Sequence, residues 1–271
     1  MKKWEGKVVV ITGAGSGIGR ALAIALAQRR ALISISDIKL HDLEKTADMC
    51  RAYSRVQALL VDVSKKDEMK QYPEKVLSEF GQINVIINNA GVALSGRVEE
   101  TSVEDYEWLM GINWWGVLYG TKYFLPFLRQ AGEGHIVNIS SLFGLIAVPT
   151  QSAYNAAKFA VRGFTESLAQ ELAGSSIGVT GVYPGGIKTS IAHNARFISG
   201  PKGEKNHAEV AERFLKMAQT SAEEAAEQII RAIEEKKPRL LIGYDALILD
   251  SLGRFFPEQY PFFLKMVLQN F

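Results

Sequence analysis

The sequence predicts an α/β fold in which helices cover both faces of a mostly parallel sheet of seven strands. Two observations favour this fold. Short apolar runs rich in β-branched residues alternate along the chain with segments of helical pattern, which is typical of βαβ units. These runs, such as residues 7–12, are continuously apolar, as expected of parallel strands that are buried on both faces.

Composition narrows the class of protein. The chain has 271 residues, of which 47% are hydrophobic and 22% charged, so we expect a single domain over residues 1–271 with a full core. A net charge of +2 argues against a nucleic-acid partner and makes membrane contact unlikely. Cys50 is the only cysteine and no signal peptide or transmembrane run is evident, so a cytoplasmic protein is predicted. The four histidines are scattered, and no metal site is expected.

The predicted elements follow in chain order. Together with their exit turns, the strands are residues 7–12, 31–37, 56–63, 83–91, 134–141, 177–185 and 239–244. The helices are predicted from residue 20, over 41–52, after residue 64, over 102–128, from after 149 to about 173, and over 221–236.

Capping and breaking residues set several of these limits. Ser64 and Asp67 resemble a capping pair, and Ser221 with Glu224 forms a capping box. Pro73 falls inside the third helix, which we expect it to kink or restart.

A glycine-rich turn joins the first strand to the first helix. Gly13 allows a tight turn, and Gly17 and Gly19 allow the backbone to approach a pyrophosphate closely. The N-terminus of the following helix offers free N–H groups to an anion. The alternative is a turn without a ligand.

Two aspartates end neighbouring strands. Asp37 lies about 20 residues after the glycine turn, where a carboxylate accepts hydrogen bonds from the adenosine ribose of NAD. It would repel the 2′-phosphate of NADP, although Lys39 is close in sequence, and it could instead cap a helix or turn. Asp62 could bind the adenine amino group or close its own turn.

The stretch 152–158 holds a tyrosine and a lysine one helical turn apart. Tyr154 and Lys158 therefore share a helix face, and a nearby positive charge lowers the pKa of a phenol. Such a pair is weak evidence alone. However, the serines at 140–141, Asn113 and the two aspartates also lie at the carboxyl ends of strands or in the helices that follow. Ligands bind at that edge of such sheets.

These motifs together resemble those of the short-chain dehydrogenase/reductase family. Ser141 precedes Tyr154 by 13 residues and Lys158 follows it by four. The resemblance runs from about residue 7 to 244 and departs from the family at Trp114–Trp115, in the 189–216 loop and in the tail. The other matching motifs are residues 12–19, Asn88–Gly91, Asn113, Pro184–Gly185 and Thr189.

The resemblance implies a Rossmann-like sheet and hydride transfer between a nicotinamide cofactor, preferably NAD, and an alcohol or carbonyl group. Tyr154 would be the general acid/base and Ser141 would bind the substrate oxygen. Lys158 would bind the nicotinamide ribose and lower the tyrosine pKa, and Asn113 would hold a relay water. The residues implied at the cofactor are Gly13, Ser16, Gly17, Ile18, Gly19, Asp37, Asp62, Val63, Asn89, Ala90, Gly91, Tyr154, Lys158, Pro184, Gly185, Ile187 and Thr189.

The sequence says less about the substrate than about the reaction. Residues 189–216 are a long connection, which is usually a lid or binding loop. The segments expected to form the pocket are apolar and favour an apolar alcohol or ketone, although the same residues could be ordinary core. They are Leu142, Phe143, Leu145, Ile146, Val148, Phe197 and Ile198.

The aromatic tail, residues 255–271, has three interpretations. It packs against another subunit or the substrate pocket, it forms a local cap, or it touches a membrane. From the family we expect a homotetramer, or otherwise a dimer, formed through the helices of Asn113 and Tyr154.

Three rivals to an NAD-dependent dehydrogenase stay open. They are an NADP-dependent carbonyl reductase, a dinucleotide-binding regulator without turnover, and a lyase or epimerase that uses the cofactor transiently.

Overall fold

Seven parallel strands form the central sheet of the computed structural model, which describes residues 3–269 and the side chains of residues 3–264. The sheet order is β7-β6-β5-β4-β1-β2-β3, and every neighbouring pair is parallel. The direction of winding reverses between β1 and β4. This is the predicted Rossmann-like arrangement. The strands are β1 (Val8–Thr12), β2 (Leu32–Asp37), β3 (Val56–Leu60), β4 (Val85–Asn88), β5 (Gly134–Ile139), β6 (Ile177–Pro184) and β7 (Arg239–Ile242).

Helices follow the strands and cover both faces of the sheet. They are α1 (Gly17–Gln28), α2 (Leu40–Arg51), α3 (Lys66–Phe80), α4 (Val103–Met110), α5 (Gly116–Gln130), α6 (Ser152–Glu171), α7 (His207–Met217), α8 (Ala222–Glu234), α9 (Tyr244–Phe255) and α10 (Tyr260–Gln269). The predicted capping box at Ser221 and Glu224 starts α8.

Alternate residues of each strand enter two separate cores. In β1, Val9 and Ile11 pack under α1, α2 and α8, whereas Val8 and Val10 pack under α3, α5 and α6. Both sets are fully buried. This burial on two faces explains why the strand runs in the sequence are continuously apolar.

The start of α3 differs from the prediction. Lys65 is the N-cap residue, without a side-chain cap, and α3 begins at Lys66. The Ser64 hydroxyl instead donates to Asp62 Oδ1 at 2.7 Å, so the capping prediction is wrong. Pro73 does not restart the helix, which is continuous from Lys66 to Phe80. Met69 and Tyr72, on the face that packs against the sheet, are fully buried, and this burial stabilises the helix.

The predicted helix over residues 102–128 is divided. A π-helical turn, Gly111–Trp115, separates α4 from α5. Such turns insert an extra residue into a helix and occur often at functional sites.

The 189–216 segment is more ordered than the sequence indicates. Arg196–Phe197 pairs as a two-residue strand with Leu94–Ser95, and α7 begins at His207, where the Asn206 side chain caps it. A second short pair joins Ile187–Lys188 to Thr220–Ser221.

The tail is helical and lies against the segment that follows β5. Ala246 and Leu264 pack with Leu142 and Ile146, and Tyr260 Oη accepts a hydrogen bond from the Ala147 N–H at 3.3 Å. The part of the predicted tail beyond residue 269, and the side chains from 265 onward, lie outside the described residues. Within the described residues, no helix is long and apolar enough to cross a membrane.

Candidate active site

The turn between β1 and α1 has several positions that only glycine can occupy. Gly13 and Gly17 have φ values of +66° and +52°, which L-residues with side chains rarely adopt. A Cβ atom on Gly13 would lie 2.6 Å from Ala90 Cα, and one on Gly19 would lie 2.4 Å from the Gly13 carbonyl oxygen. The turn is therefore packed tightly against the loop that follows β4.

Threonine and asparagine side chains lock these two loops together. Thr12 Oγ1 accepts hydrogen bonds from the Asn89 and Ala90 N–H groups, each at 3.1 Å. Asn89 Nδ2 donates back to the Thr12 and Gly13 carbonyls at 2.9 and 3.0 Å. The predicted motifs at 12–19 and 88–91 thus form one structure.

The N-terminus of α1 is open to a ligand. Ser16 is the N-cap residue, its side chain does not cap the helix, and the first turn carries no acidic residue. The first N–H groups and the positive end of the helix dipole are therefore available to an anion. An uncapped helix that follows a glycine turn, where a ligand can come close to the backbone, fits the pyrophosphate of a dinucleotide.

Asp37 lies beside this turn, at the end of β2. Its Oδ2 accepts from the Gly15 N–H at 2.9 Å and its Oδ1 from the Lys39 N–H at 3.0 Å. The carboxylate thus orders the glycine turn. Arg20, which the sequence analysis overlooked, donates to the backbone carbonyls of Gly15 and Asp42 and places a positive charge close to the same turn.

Asp62 and Val63 follow β3. Asp62 closes its own turn, since its Oδ1 accepts from the Ser64 N–H at 2.9 Å as well as from the hydroxyl. Val63 is buried against Gly116 at the start of α5.

Asn113 lies in the π-helical turn and is fully buried. Its Oδ1 accepts from the Val92 N–H at 2.8 Å, and its Nδ2 donates to the Val92 carbonyl at 2.9 Å. The side chain therefore holds the loop after β4 and satisfies both of its polar groups there.

Ser141, Tyr154 and Lys158 come together beyond the end of β5. Lys158 Nζ donates to the Ile139 carbonyl at 3.0 Å and lies 5.6 Å from the centroid of the Tyr154 ring. Ser141 Oγ accepts from the Phe143 N–H at 3.1 Å. Tyr154 and Lys158 are both buried.

Burial controls the pKa values of this pair. It raises the pKa of Tyr154 to about 12, and the Ser141 side chain only partly opposes this by hydrogen bonding. Burial also lowers the pKa of Lys158 to about 8. The sequence-based expectation that Lys158 lowers the tyrosine pKa is not seen in the protein alone, because loss of water destabilises the phenolate more than its neighbours stabilise it.

The turn after β6 carries the last predicted motif. The methyl group of Thr189 lies against Gly17, 3.1 Å from where a Cβ atom would be, so the first and last motifs meet. Ile187 is buried in the core beside Val182. The turn also depends on Asp245, whose Oδ2 accepts from the Gly186 N–H at 2.6 Å and whose carboxylate lies against Gly185.

Asp245 was not foreseen. The available signal was an aspartate two residues after Gly243, the glycine that follows β7. This position lies at the same edge of the sheet as the other motifs.

The apolar residues expected at the pocket divide into two groups. Leu142 and Ile146 belong to the core beneath α9 and α10, and Leu145 is also buried. These three residues are therefore ordinary core, as the alternative interpretation proposed. Phe143 lies edge-on to Tyr154, with ring centroids 6.2 Å apart. Phe197 stacks on His207 at 5.0 Å. Phe143, Val148, Phe197 and Ile198 are only partly buried.

Between residues 3 and 269, no group of three or more His, Cys, Asp or Glu residues is placed to hold a metal ion.

Comparison with known proteins identifies the family. The profile of the short chain dehydrogenases matches residues 7–197, which include every motif from the glycine turn to Thr189. The chain belongs to the short-chain dehydrogenase/reductase family. It is accordingly an NAD(P)-dependent dehydrogenase that acts on CH–OH groups.

Relatives share this family across nearly the whole chain. The Mycobacterium tuberculosis protein SadH, classed as an oxidoreductase, is 45% identical over 96% of this chain and 94% of its own length. Estradiol 17-beta-dehydrogenase 11 of Pongo abelii is 30% identical over 97% of this chain and 84% of its own. A short-chain dehydrogenase/reductase from Burkholderia phymatum, crystallised with NAD, is 32% identical with a TM-score of 0.86, covering 94% of this chain and 95% of that one.

Proposed function

We propose that this protein transfers a hydride between NAD(H) and an apolar secondary alcohol or ketone, with Tyr154 as the general acid/base. The observation that carries the proposal is the convergence of Ser141, Tyr154 and Lys158 beyond the end of β5, on the edge of the sheet that holds the glycine turn and the open N-terminus of α1.

The chain supplies the proton chemistry. When bound, the nicotinamide ring accepts or donates the hydride. With a pKa of about 12 in the protein alone, the Tyr154 phenol is protonated at neutral pH and can donate to the oxygen of a carbonyl substrate. In the oxidation direction it must first lose that proton, and the Lys158 ammonium group, one helical turn away, favours the phenolate.

Ser141 and Lys158 orient the reacting groups. One lone pair of Ser141 Oγ accepts from the Phe143 N–H. In the protein alone its hydroxyl group hydrogen-bonds the Tyr154 phenol, and it would turn to the oxygen of a bound substrate. Lys158 Nζ uses one N–H on Ile139 and has two more for the ribose hydroxyls of the cofactor. Asn113 holds the loop at Val92, and we keep its relay role as part of the proposal.

Asp37 supports the preference for NAD. Each of its oxygens accepts one backbone N–H and keeps a second lone pair for a ribose hydroxyl. Its negative charge opposes a 2′-phosphate. Arg20 and Lys39 are the features that favour the alternative NADP-dependent carbonyl reductase.

The substrate class rests on four partly buried residues of the expected pocket, of which Phe143 lies edge-on to Tyr154. Phe143, Val148, Phe197 and Ile198 are uncharged and apolar, which suits a lipophilic alcohol. The relative that is named for estradiol acts, by that name, on a steroid alcohol of this kind.

The experiment is an assay of NADH formation by absorbance. Secondary alcohols from short and polar to long-chain, aromatic and steroidal are offered with NAD⁺, and NADP⁺ is tested in parallel. We expect activity with NAD⁺ and the apolar alcohols. Silence across the panel while NADH still binds would favour the regulator, and turnover without net change of NAD would favour a lyase or epimerase.

The variant Tyr154→Phe tests the acid/base role. We expect turnover to fall at least about 1,000-fold, because the phenol hydroxyl is lost, while NADH affinity measured by fluorescence changes little. Tyr72→Phe is the matched control, since Tyr72 is a fully buried tyrosine whose hydroxyl lies 3.2 Å from Ser34 Oγ, away from the site. A Tyr154→Phe enzyme with most of its activity would remove Tyr154 from the mechanism.

Assembly and location are also proposals. The exposed Trp115, two residues from Asn113, supports a tetramer, or otherwise a dimer. The single buried cysteine, Cys50, is in keeping with a cytoplasmic location.

A further inference from the structure

The segment from Leu142 to Val148 joins β5 to the approach to α6. It follows Ser141 directly, and the ring of its Phe143 lies edge-on to the Tyr154 ring. A short 3₁₀ turn, Leu142–Gly144, is its regular structure. Backbone groups of such a segment need partners from elsewhere when they are buried.

One side chain supplies three of those partners. Asn155 Nδ2 donates to the Phe143 carbonyl at 2.8 Å and to the Ile146 carbonyl at 3.1 Å. Asn155 Oδ1 accepts from the Val148 N–H at 3.2 Å. Asn155 is only 6% exposed. Both N–H groups of its amide and the amide oxygen are hydrogen-bonded to this one segment.

These contacts connect to both reacting side chains. Phe143 accepts from Asn155 through its carbonyl and donates to Ser141 Oγ through its N–H. Its ring also lies edge-on to the Tyr154 ring. Asn155 is the residue next to Tyr154 in α6, so the helix that presents the phenol also fixes the segment that presents the serine.

We propose that Asn155 is a positioning residue, which holds the Ser141 hydroxyl and the Phe143–Val148 wall of the pocket in register with Tyr154. This inference rests on the proposed function, because it assigns a role within that site.

The chemistry requires an amide. Two donors and one acceptor at this reach are found together in asparagine, whereas alanine leaves two carbonyls and one N–H without their partner. An ionised aspartate would keep the acceptor for Val148 but would face the carbonyls of Phe143 and Ile146 with a second oxygen. A protonated aspartate regains one donor.

The catalytic test compares Asn155→Ala and Asn155→Asp with the wild-type full-length chain, using an alcohol that the panel identifies. We expect kcat to fall about 10- to 100-fold in both, as for a displacement of about 1 Å between reacting groups, with NADH affinity by fluorescence unchanged. Asn155→Asp is expected to recover part of its activity, relative to wild type, as the pH falls and its carboxyl group gains a proton. Wild-type kcat in either variant would overturn the proposal.

Asn84→Ala is the matched control. Asn84 is also a buried asparagine, and its Oδ1 accepts from the Val8 N–H at 2.8 Å, at the other end of the strands. We expect this variant to lose thermal stability without loss of kcat. If Asn155→Ala and Asn84→Ala lowered kcat equally, the role of Asn155 would be structural only.

Hydrogen exchange gives a readout that does not depend on turnover. In Asn155→Asp, and in Asn155→Ala if it folds, the Val148 amide and its neighbours in the segment should exchange at least about 10-fold faster, while amides of β1 are unchanged. Unchanged protection of the segment would overturn the proposal even if no alcohol were oxidised. If the wild-type enzyme were inactive and its variants showed this faster exchange, the result would count against the proposed function. It would still support the role of Asn155 in holding the segment.

Discussion

Burial shifts the pKa values of Tyr154 and Lys158 away from each other. The pKa of the Tyr154 phenol rises to about 12 and that of the Lys158 ammonium group falls to about 8, because each charged form loses contact with water. Residue types and spacing alone suggested that the lysine would dominate. At the scale of single residues, the environment therefore decides the sign of a shift that the motif leaves open.

Asp37 carries a prediction about cofactor choice. In Asp37→Ala, the ratio of kcat/KM with NADP⁺ to that with NAD⁺ should rise about 10-fold or more, because one negative charge at the ribose site is removed. Steady-state kinetics with both cofactors measure it. Asp37→Asn is the companion variant, since it removes the charge but keeps an oxygen acceptor for the Gly15 N–H. If the ratio stays constant in both, Asp37 does not set the preference.

His135 carries a prediction about stability and pH. Burial, with a smaller contribution from the charge of Lys236, lowers its pKa from 6.5 to about 4. The Thr180 hydroxyl donates to the Lys237 carbonyl at 2.6 Å, so Thr180 Oγ1, 2.7 Å from His135 Nε2, accepts from a neutral imidazole. The unfolded chain binds a proton near pH 6.5 that the folded protein accepts only near pH 4, so stability is lost as the pH falls between these values.

Urea unfolding at pH 7 and pH 5 measures this effect. The free energy of unfolding should fall by about 2 kcal/mol on account of His135 over that interval. The fall should be smaller by that amount in His135→Asn. His41→Asn, at an exposed position on α2, is the control and should follow the wild type. Equal pH dependence of the wild type and His135→Asn would contradict the assignment.

At the scale of elements, the segment 189–216 is fastened to the region around α4. The Arg196 guanidinium lies 2.7 Å from Asp105 Oδ1 and 3.6 Å from the centroid of the Trp108 ring. Ser95 Oγ donates to the Ser199 carbonyl at 2.8 Å, and the Ser199 hydroxyl donates to Glu100. The sequence predicts a long loop here, because these partners are about 90 residues away and leave no local pattern.

Arg196→Ala should loosen this segment, which we expect to form part of the substrate site. We expect KM for the alcohol to rise about 3- to 10-fold with kcat within about 2-fold, because the ion pair and the cation–π contact are worth about 1 kcal/mol together at this exposed position. Substrate saturation curves measure it. Arg55→Ala is the matched control, since Arg55 pairs with Glu79 at 2.5 Å and lies 5.3 Å from the Phe80 ring centroid, beside β3 and α3. Equal effects of the two variants on KM would exclude a specific role for the contacts of Arg196 with Asp105 and Trp108.

The division of the 102–128 helix has a similar origin. The sequence pattern predicts one continuous helix here. A buried asparagine such as Asn113 needs hydrogen-bond partners. The partner is the Val92 backbone, beyond the reach of any local signal. The π-helical turn appears where this contact is made.

At the scale of the whole molecule, apolar side chains are exposed on two parts of the surface. An aromatic stripe runs from Trp115, the last residue of the π-helical turn, to Tyr119 and Tyr123 of α5, with ring centroids 5.8 and 6.0 Å apart. Trp115 is 44% exposed, and the two tyrosines are partly buried. A second surface lies on α9, at Leu247, Ile248 and Phe255. Contiguous apolar patches on a protein surface commonly mark contacts with other molecules.

Light scattering tests the aromatic stripe as a contact between copies. The wild-type mass should be four times, or otherwise twice, the 29.9 kDa of one chain. Trp115→Arg should lower it, because a charge is then buried without a partner. Met49→Arg, at a position of similar exposure on α2, should leave the mass unchanged. A wild-type mass of one chain would defeat the expected assembly.

The sequence is sufficient to predict the α/β alternation, the seven strands, and the residues that meet at the carboxyl edge of the sheet. These features depend on local periodicity and turn chemistry, which neighbouring residues carry. The folded structure was needed to establish the partners of Asn155, Asp245 and Arg196, the helical form of the tail, and the direction of the Tyr154 pKa shift. Each of these depends on burial or on groups brought together from distant parts of the chain, and neither leaves a local pattern in the sequence.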